Sequence, residues 1–267
     1  MPANPVGSRW TDSVARLLSV SRFGLTEFLT LNPPVILLTA LLPRAVVQAL
    51  FFTVLGSVLG GPDGKEFAYV GSAALIIAVL CTDVGEVPMA DKWAGTFARI
   101  RSGVVHPFAI VAARCWPYPV VATAMATVAM VVVGVVTGRT STTVALLPWL
   151  PVYLLMACTT GAATLAATLL AVGRRADLLA TNAVSFGVLL ASGVFLPPGR
   201  IPVVDAVGTI LPVSHGLQAV RNGLEGKPWV DEVIAELCVG AGWTVVAFVV
   251  LAIQVRRALR LGIDDFV

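Results

Sequence analysis

Apolar and polar positions fall into two regimes along the chain. From Trp10 onward, Trp10, Val14, Leu17, Leu18, Leu25, Phe28 and Leu29 recur at helical spacing, while Arg9, Asp12, Arg16, Ser19 and Thr26 fall elsewhere on the wheel. This predicts an amphipathic helix within residues 1–33, lying along the inner membrane surface with its arginines toward headgroups. The plainer alternative is a soluble helix packed on a partner protein. Beyond it the pattern turns almost continuously apolar, broken by short polar punctuation. Apolar runs at residues 35–59, 69–89, from about 107 to 136, 147–172, 178–196 and 233–255 predict six spanning helices. Turn signals separate them: Gly60-Gly61-Pro62-Asp63-Gly64, the segment ADKWAGTFARIRSG, Gly138-Arg139, and Arg174-Arg175 with Asp177.

Residues 192–220 read SGVFLPPGRIPVVDAVGTILPVSHGLQAV and place prolines at Pro197, Pro198, Pro202 and Pro212. Each proline removes a backbone donor and clashes with the preceding turn, so no single straight helix runs through them. Non-helical backbone at membrane depth is tolerated only against protein or a watery cavity. Two short broken helices dipping into the outer leaflet between spans five and six are the expectation.

Composition sharpens this. The chain has 267 residues, 57% hydrophobic and 12% charged, with mean hydropathy +0.90, whereas a soluble domain is about a quarter charged. The fold class is therefore an all-α polytopic membrane protein: an N-terminal interfacial amphipathic helix, six transmembrane helices and a broken or re-entrant segment between spans five and six. At about 20 residues per crossing, no sizeable soluble domain has room. With six spans, eleven basic residues fall on the N-terminal side (Arg9, Arg16, Arg22, Lys92, Arg99, Arg101, Arg174, Arg175, Arg256, Arg257, Arg260) and five opposite (Lys65, Arg139, Arg200, Arg221, Lys227). That excess places both termini in the cytoplasm. No secretory signal is apparent near the N-terminus. Fifteen arginines to three lysines, with many Ala and Val, hint at a GC-rich bacterial genome and hence a bacterial cytoplasmic membrane. Cys81, Cys115, Cys158 and Cys238 lie singly in apolar runs and read as small buried hydrophobes, neither disulfide nor metal ligands.

Recognisable catalytic chemistry is scarce. Lys65 precedes Glu66, Lys92 follows Asp91 and Lys227 precedes Pro228, so no lysine sits in a GxxxxGK[ST] phosphate loop. Any ATP must be hydrolysed by another polypeptide. His106 and His215 are predicted on opposite membrane faces and no HExxH occurs. Ser192-Gly193 lacks the first glycine of a nucleophile elbow. Within the spans, Arg44, Asp83 and Glu86 stand out because a charge at mid-bilayer costs about 2.5–3.5 kcal/mol. Asp83 and Glu86 share a helical face. Arg44 and Asp83 fall at similar depth on antiparallel spans, which suits a structural ion pair, a gating role or a substrate role, while Glu86 also reads as snorkelling into cytoplasmic water. Thr160, Thr164 and Thr168 form a small, weakly polar packing stripe. Asn182, Ser185 and Ser192 form a similar line on span five that suits packing or a pathway.

Two motifs, in order and on the expected faces, give the chain a resemblance. Asp91-Lys92-Trp93-Ala94-Gly95-Thr96 follows span two; Ser192-Gly193-Val194-Phe195-Leu196-Pro197 follows span five, then Pro212-Val213-Ser214-His215 and Arg221. Over nearly its whole length the chain resembles the membrane subunit of ATP-binding-cassette exporters of the type-2 permease class. It departs from that pattern in having Asp91 where Glu is commoner, and Val104 at the family proline, with Pro107 displaced. The resemblance implies one transmembrane permease domain over residues 1–267. Residues 90–106 would be a cytoplasmic coupling segment and residues 192–230 an exoplasmic broken-helix region. It implies that Asp91, Lys92, Trp93, Gly95, Thr96, Arg99 and Arg101 fit a groove on the ATPase. A basic patch of Lys92, Arg99 and Arg101 beside an aromatic suits an interface, although a loop that only sets topology has the same composition. Ser192, Gly193, Phe195, Pro197, Pro212, His215 and Arg221 would form the outer gate. No cofactor is expected in this chain, with ATP and Mg on the partner. Expected partners are ATP-binding-cassette ATPase subunits, a second permease copy and membrane lipid, with no nucleic acid. The cargo would be a hydrophobic or amphipathic drug, lipid or lipid-linked glycan. The alternative is an ion-coupled carrier or channel using Arg44, Asp83 and Glu86.

Overall fold

The computed structural model describes residues 5–103, 105–171, 177–194 and 201–261. Among these every regular element is helical. The first helix, α1 (Pro5–Leu31), is 27 residues long. Five helices are long and apolar enough to cross a membrane: α2 (Pro34–Gly61), α3 (Asp63–Trp93), α5 (Pro107–Val136), α6 (Thr140–Ala171) and α10 (Val230–Leu261). Between them lie the short α4 (Phe97–Arg101), α7 (Asp177–Ala191), α8 (Pro202–Gly208) and α9 (Ser214–Leu224).

The fifth expected span, residues 178–196, falls on α7 (Asp177–Ala191), and residues 195 and 196 of it lie outside the described residues. The described helix has 15 residues, about 22 Å at 1.5 Å per residue, short of the roughly 30 Å hydrocarbon core. Ser192, Gly193 and Val194 already bend away from its axis. Span four, expected from residue 147, instead begins at Thr140. Pro148 is absorbed in a single 3-10 turn, Leu147–Trp149, which needs no i−4 bond from the proline nitrogen. Other prolines leave similar marks. Pro43 cannot bond to Thr39, and the turn before it widens to a π-helical stretch, Leu37–Leu41. Pro88 cannot bond to Val84, and Thr82–Gly85 tightens to 3-10.

The turn between α2 and α3 occupies hardly more than Gly61, whose φ of 64° and ψ of −150° reverse the chain without a side-chain clash. Helices α3 and α6 form the buried centre; α2 and α10 are mostly exposed and apolar on the outside. Helix α5 packs on α2 and α3, α10 packs on α6, and α1 packs on the first turns of α5. One buried cluster gathers Tyr69, Ile76, Ile77, Met130, Leu146, Tyr153, Met156 and Leu217. A second, around Phe28, Val87, Phe97, Val111, Tyr118, Leu165, Leu169 and Leu251, fills the end that carries α4. We call that the α4 end and the opposite one, with α8 and α9, the hairpin end.

The threonine stripe is packing. Thr164 and Thr168 are buried against the 3-10 turn of α3, where a Cβ on Gly85 would stand 2.5 Å from the Thr168 hydroxyl.

Candidate functional site

The α4 end is built on one arginine. Arg114, 4% exposed, projects from the third turn of α5 and divides its guanidinium between two acids. Its Nε and Nη2 donate to the two carboxylate oxygens of Glu27 on α1, at 2.9 and 2.6 Å. Its Nη1 donates to Asp91 Oδ2 on α3, at 2.6 Å. The approach of α1 needs Gly24, where a Cβ would lie 2.6 Å from Arg114 Cα. Trp116 Nε1 also donates to Ser21 O at 3.1 Å. Planar, fixed-fork donors suit this three-element junction in a way a point-charge lysine does not.

Asp91 in turn organises the loop after α3. Thr96 Oγ1 donates to Asp91 Oδ1 at 3.0 Å, Thr96 N to Asp91 O at 3.0 Å, and Gly95 N to Lys92 O at 3.2 Å. This pair of backbone bonds is a Schellman closure, and it requires the left-handed residue found at Gly95, φ 63°. The Asp-Lys-Trp-Ala-Gly-Thr string thus describes a helix end: the acid anchors it, the glycine turns it, the threonine folds back. Outside this closure Trp93 is 83% exposed, Arg99 is exposed, and Lys92 and Arg101 are half-buried. Phe97 is buried beneath. The segment therefore shows an aromatic and basic outer face on an inner side ion-paired into the helical bundle. His106 caps α5, its Nδ1 accepting from Phe108 N at 3.2 Å, and Val104 lies outside the described residues.

The hairpin end has its own buried charge. Glu236 on α10 is fully buried and faces no cation among its bonds. Its carboxylate accepts from Val213 N at 3.0 Å, Gly216 N at 2.9 Å and the Thr159 hydroxyl at 2.5 Å. The Glu236 carboxyl thus sits at the N-terminus of α9, where it supplies acceptors to amides that have no partner within the helix. Val213 adopts φ 79°, a conformation costly for a β-branched residue. The Pro-Val-Ser-His string is this strained entry into α9. His215 bonds Glu232 through Nδ1 at 2.8 Å and Thr209 O through Nε2 at 3.3 Å. Arg221 reaches from α9 to carbonyl oxygens of Gly193, Phe67 and Val194 and lies over the Phe67 ring, 3.5 Å from its centre. Burial lowers its pKa to about 10, so the guanidinium stays charged at neutral pH. Ser192 is buried and Pro212 is buried at the foot of α9; Phe195 and Pro197 lie outside the described residues.

Of the intramembrane charges, Asp83 lies within electrostatic reach of both Glu86 and Arg44. Arg44 is exposed on α2, and no ion pair joins it to Asp83 among the described residues, although the two are within electrostatic reach. Matching depth did not fix their lateral separation. Asp83 is half-buried, Glu86 exposed, Asn182 exposed and Ser185 half-buried. Sequence inspection missed Glu27, Arg114, Glu232 and Glu236. The available signal was an ionisable residue inside an apolar run, which Arg114 and Glu236 both satisfy.

The family model of the ABC-2 type transporter matches residues 32–224, more than two thirds of the chain. The chain belongs to the ABC-2 type transporter family and is a membrane domain of that family, whose members work with ATP-binding-cassette ATPase partners. No curated protein and no solved structure matches the chain.

Proposed function

We propose that the chain is the membrane-spanning subunit of an ATP-driven exporter, moving an amphipathic cargo outward by alternating access. The observation that carries this is the α4 end, where an exposed Trp93 and Arg99 are fixed through Asp91 and Arg114 to both α1 and α5. A docking face that only set topology has no need of a buried ion-pair anchor behind it. On this reading the ATPases bind ATP and Mg, press on residues 91–101, and the push reaches α1, α3 and α5 through one guanidinium. Two membrane subunits pair, the termini are cytoplasmic, the membrane is the bacterial cytoplasmic membrane, and the hairpin end is the outer gate. A ligand biases the inward and outward states only through different affinities for them. Co-expression with candidate ATPases and replacement of Lys92, Trp93 and Arg99 tests the role. Loss of association, or of cargo-stimulated hydrolysis, supports it; unchanged values for both overturn it.

A further inference from the structure

His215, the second residue of α9, has an acceptor at each ring nitrogen. Its Nδ1 lies 2.8 Å from Glu232 Oε2 on α10, and its Nε2 lies 3.3 Å from the carbonyl oxygen of Thr209 in the turn after α8. A carbonyl cannot donate a hydrogen bond, and neither can an ionised carboxylate. A neutral imidazole has one N–H and one lone pair, so beside an ionised Glu232 it serves only one of the two oxygens. The other nitrogen then turns a lone pair toward a lone pair. Both contacts form together only when the pair holds one further proton, whether that proton is drawn on the imidazole or on the Glu232 carboxyl. The positions of the four heavy atoms thus fix a proton count.

That proton secures one of three ties between α10 and the connection from α8 to α9. Glu236 accepts from Val213 N and Gly216 N, and Trp243 Nε1 donates to Ile210 O at 2.8 Å. Glu236, one turn further along α10, is fully buried, and an indole does not titrate. His215 and Glu232 are partly exposed and line a cavity of about 330 Å³, where water can exchange their proton. The other charged side chains on that cavity are Asp205 of α8 and Arg221 of α9, and α7 adds no titratable group to it among the described residues. Asp205 favours the further proton and Arg221 opposes it. Imidazole is the side chain whose ordinary titration falls between about pH 5 and 8. With the proton gone, either Thr209 O or Glu232 loses its bond, beside a Val213 already held at φ 79°.

We propose that His215 and Glu232 form a pH-sensitive latch on the hairpin. With the shared proton bound they clip the turn after α8 to α10; loss of the proton as pH rises frees that turn. The stabilisation is present at the acid end of the range and lost toward the alkaline end. Only its use in controlling an outer gate rests on the exporter reading, since loosening of the turn is measured without ATPase or cargo.

The chain has only two histidines, His106 and His215, so nitrogen chemical shifts of the full chain, labelled with nitrogen-15 histidine and purified in detergent, report the protonation of each. Hydrogen exchange of residues 209–216, corrected for the intrinsic pH dependence of amide exchange, is followed on the same samples from about pH 5.5 to 8.5. Exchange across the turn is expected to rise roughly tenfold or more as the His215 signal titrates, the effect of one lost charge-assisted bond. Glu232→Gln supplies a side-chain N–H to Nδ1 and completes the pattern around a neutral imidazole, so this variant keeps the turn protected at about pH 8.5. Exchange in the parent that ignores pH, or that rises without tracking the His215 signal, overturns the latch. A Glu232→Gln turn no better protected than the parent's at about pH 8.5 overturns it as well.

Discussion

Arg114 Nη1 and Asp91 Oδ2 lie 2.6 Å apart, joining residues 23 positions apart in sequence and tying the end of α3 to the start of α5. Because the same guanidinium also holds Glu27, it joins both acids, and its removal leaves two carboxylates buried or half-buried without it.

Arg114→Lys is expected to lower the melting temperature in detergent strongly. Removing one partner from a buried pair costs about 3–5 kcal/mol, and an ammonium cannot reproduce the two-pronged contact with Glu27 while holding Asp91. Asp91→Asn is expected to cost less, because Glu27 still neutralises the arginine. The ranking of the two melting curves checks this.

At the hairpin end, Glu236→Gln turns one acceptor oxygen into a donor facing the amide of Val213 or Gly216. A loss of about 1–3 kcal/mol follows from the unsatisfied amide and the weakened charge-assisted bonds. Faster proteolysis near residues 209–214, measured against the parent, is the expected readout, since Glu236 holds Val213 at φ 79°.

Two glycines separate backbone from steric demands. Gly95 has φ 63° and open space where a methyl group would project, so Gly95→Ala is expected to cost only about 1 kcal/mol. Gly216→Ala places a Cβ 2.4 Å from Met156 Cγ and is expected to destabilise more. Pairing it with Met156→Ala should recover part of the loss, a coupling that a double-mutant cycle measures.

What was legible in the sequence was local. Apolar runs with Gly and Pro punctuation located α2, α3, α5, α6 and α10, and the four prolines after residue 192 foretold the two short helices α8 and α9. The Gly95-Thr96 pair was legible as a motif, and its geometry explains why: every bond in that closure spans five residues or fewer. The Arg114–Glu27 contact spans 87 positions and Glu236–Thr159 spans 77, so neither partner could be chosen from spacing. The position where α7 ends has another cause. Its apolar run continues past Ala191, but the chain bends at Ser192 because Gly193, with φ 74°, takes a left-handed conformation that hydrophobicity does not encode.

On the proposed function, the exposed face around Trp93 docks on an ATPase. Incorporating a photo-crosslinking amino acid at position 93, with candidate ATPases co-expressed in the same cells, tests it most directly. The expected result is an adduct with a nucleotide-binding partner that disappears when Arg99 is replaced by Glu. Adducts confined to lipid or to other membrane chains, with every candidate ATPase still free, would contradict it.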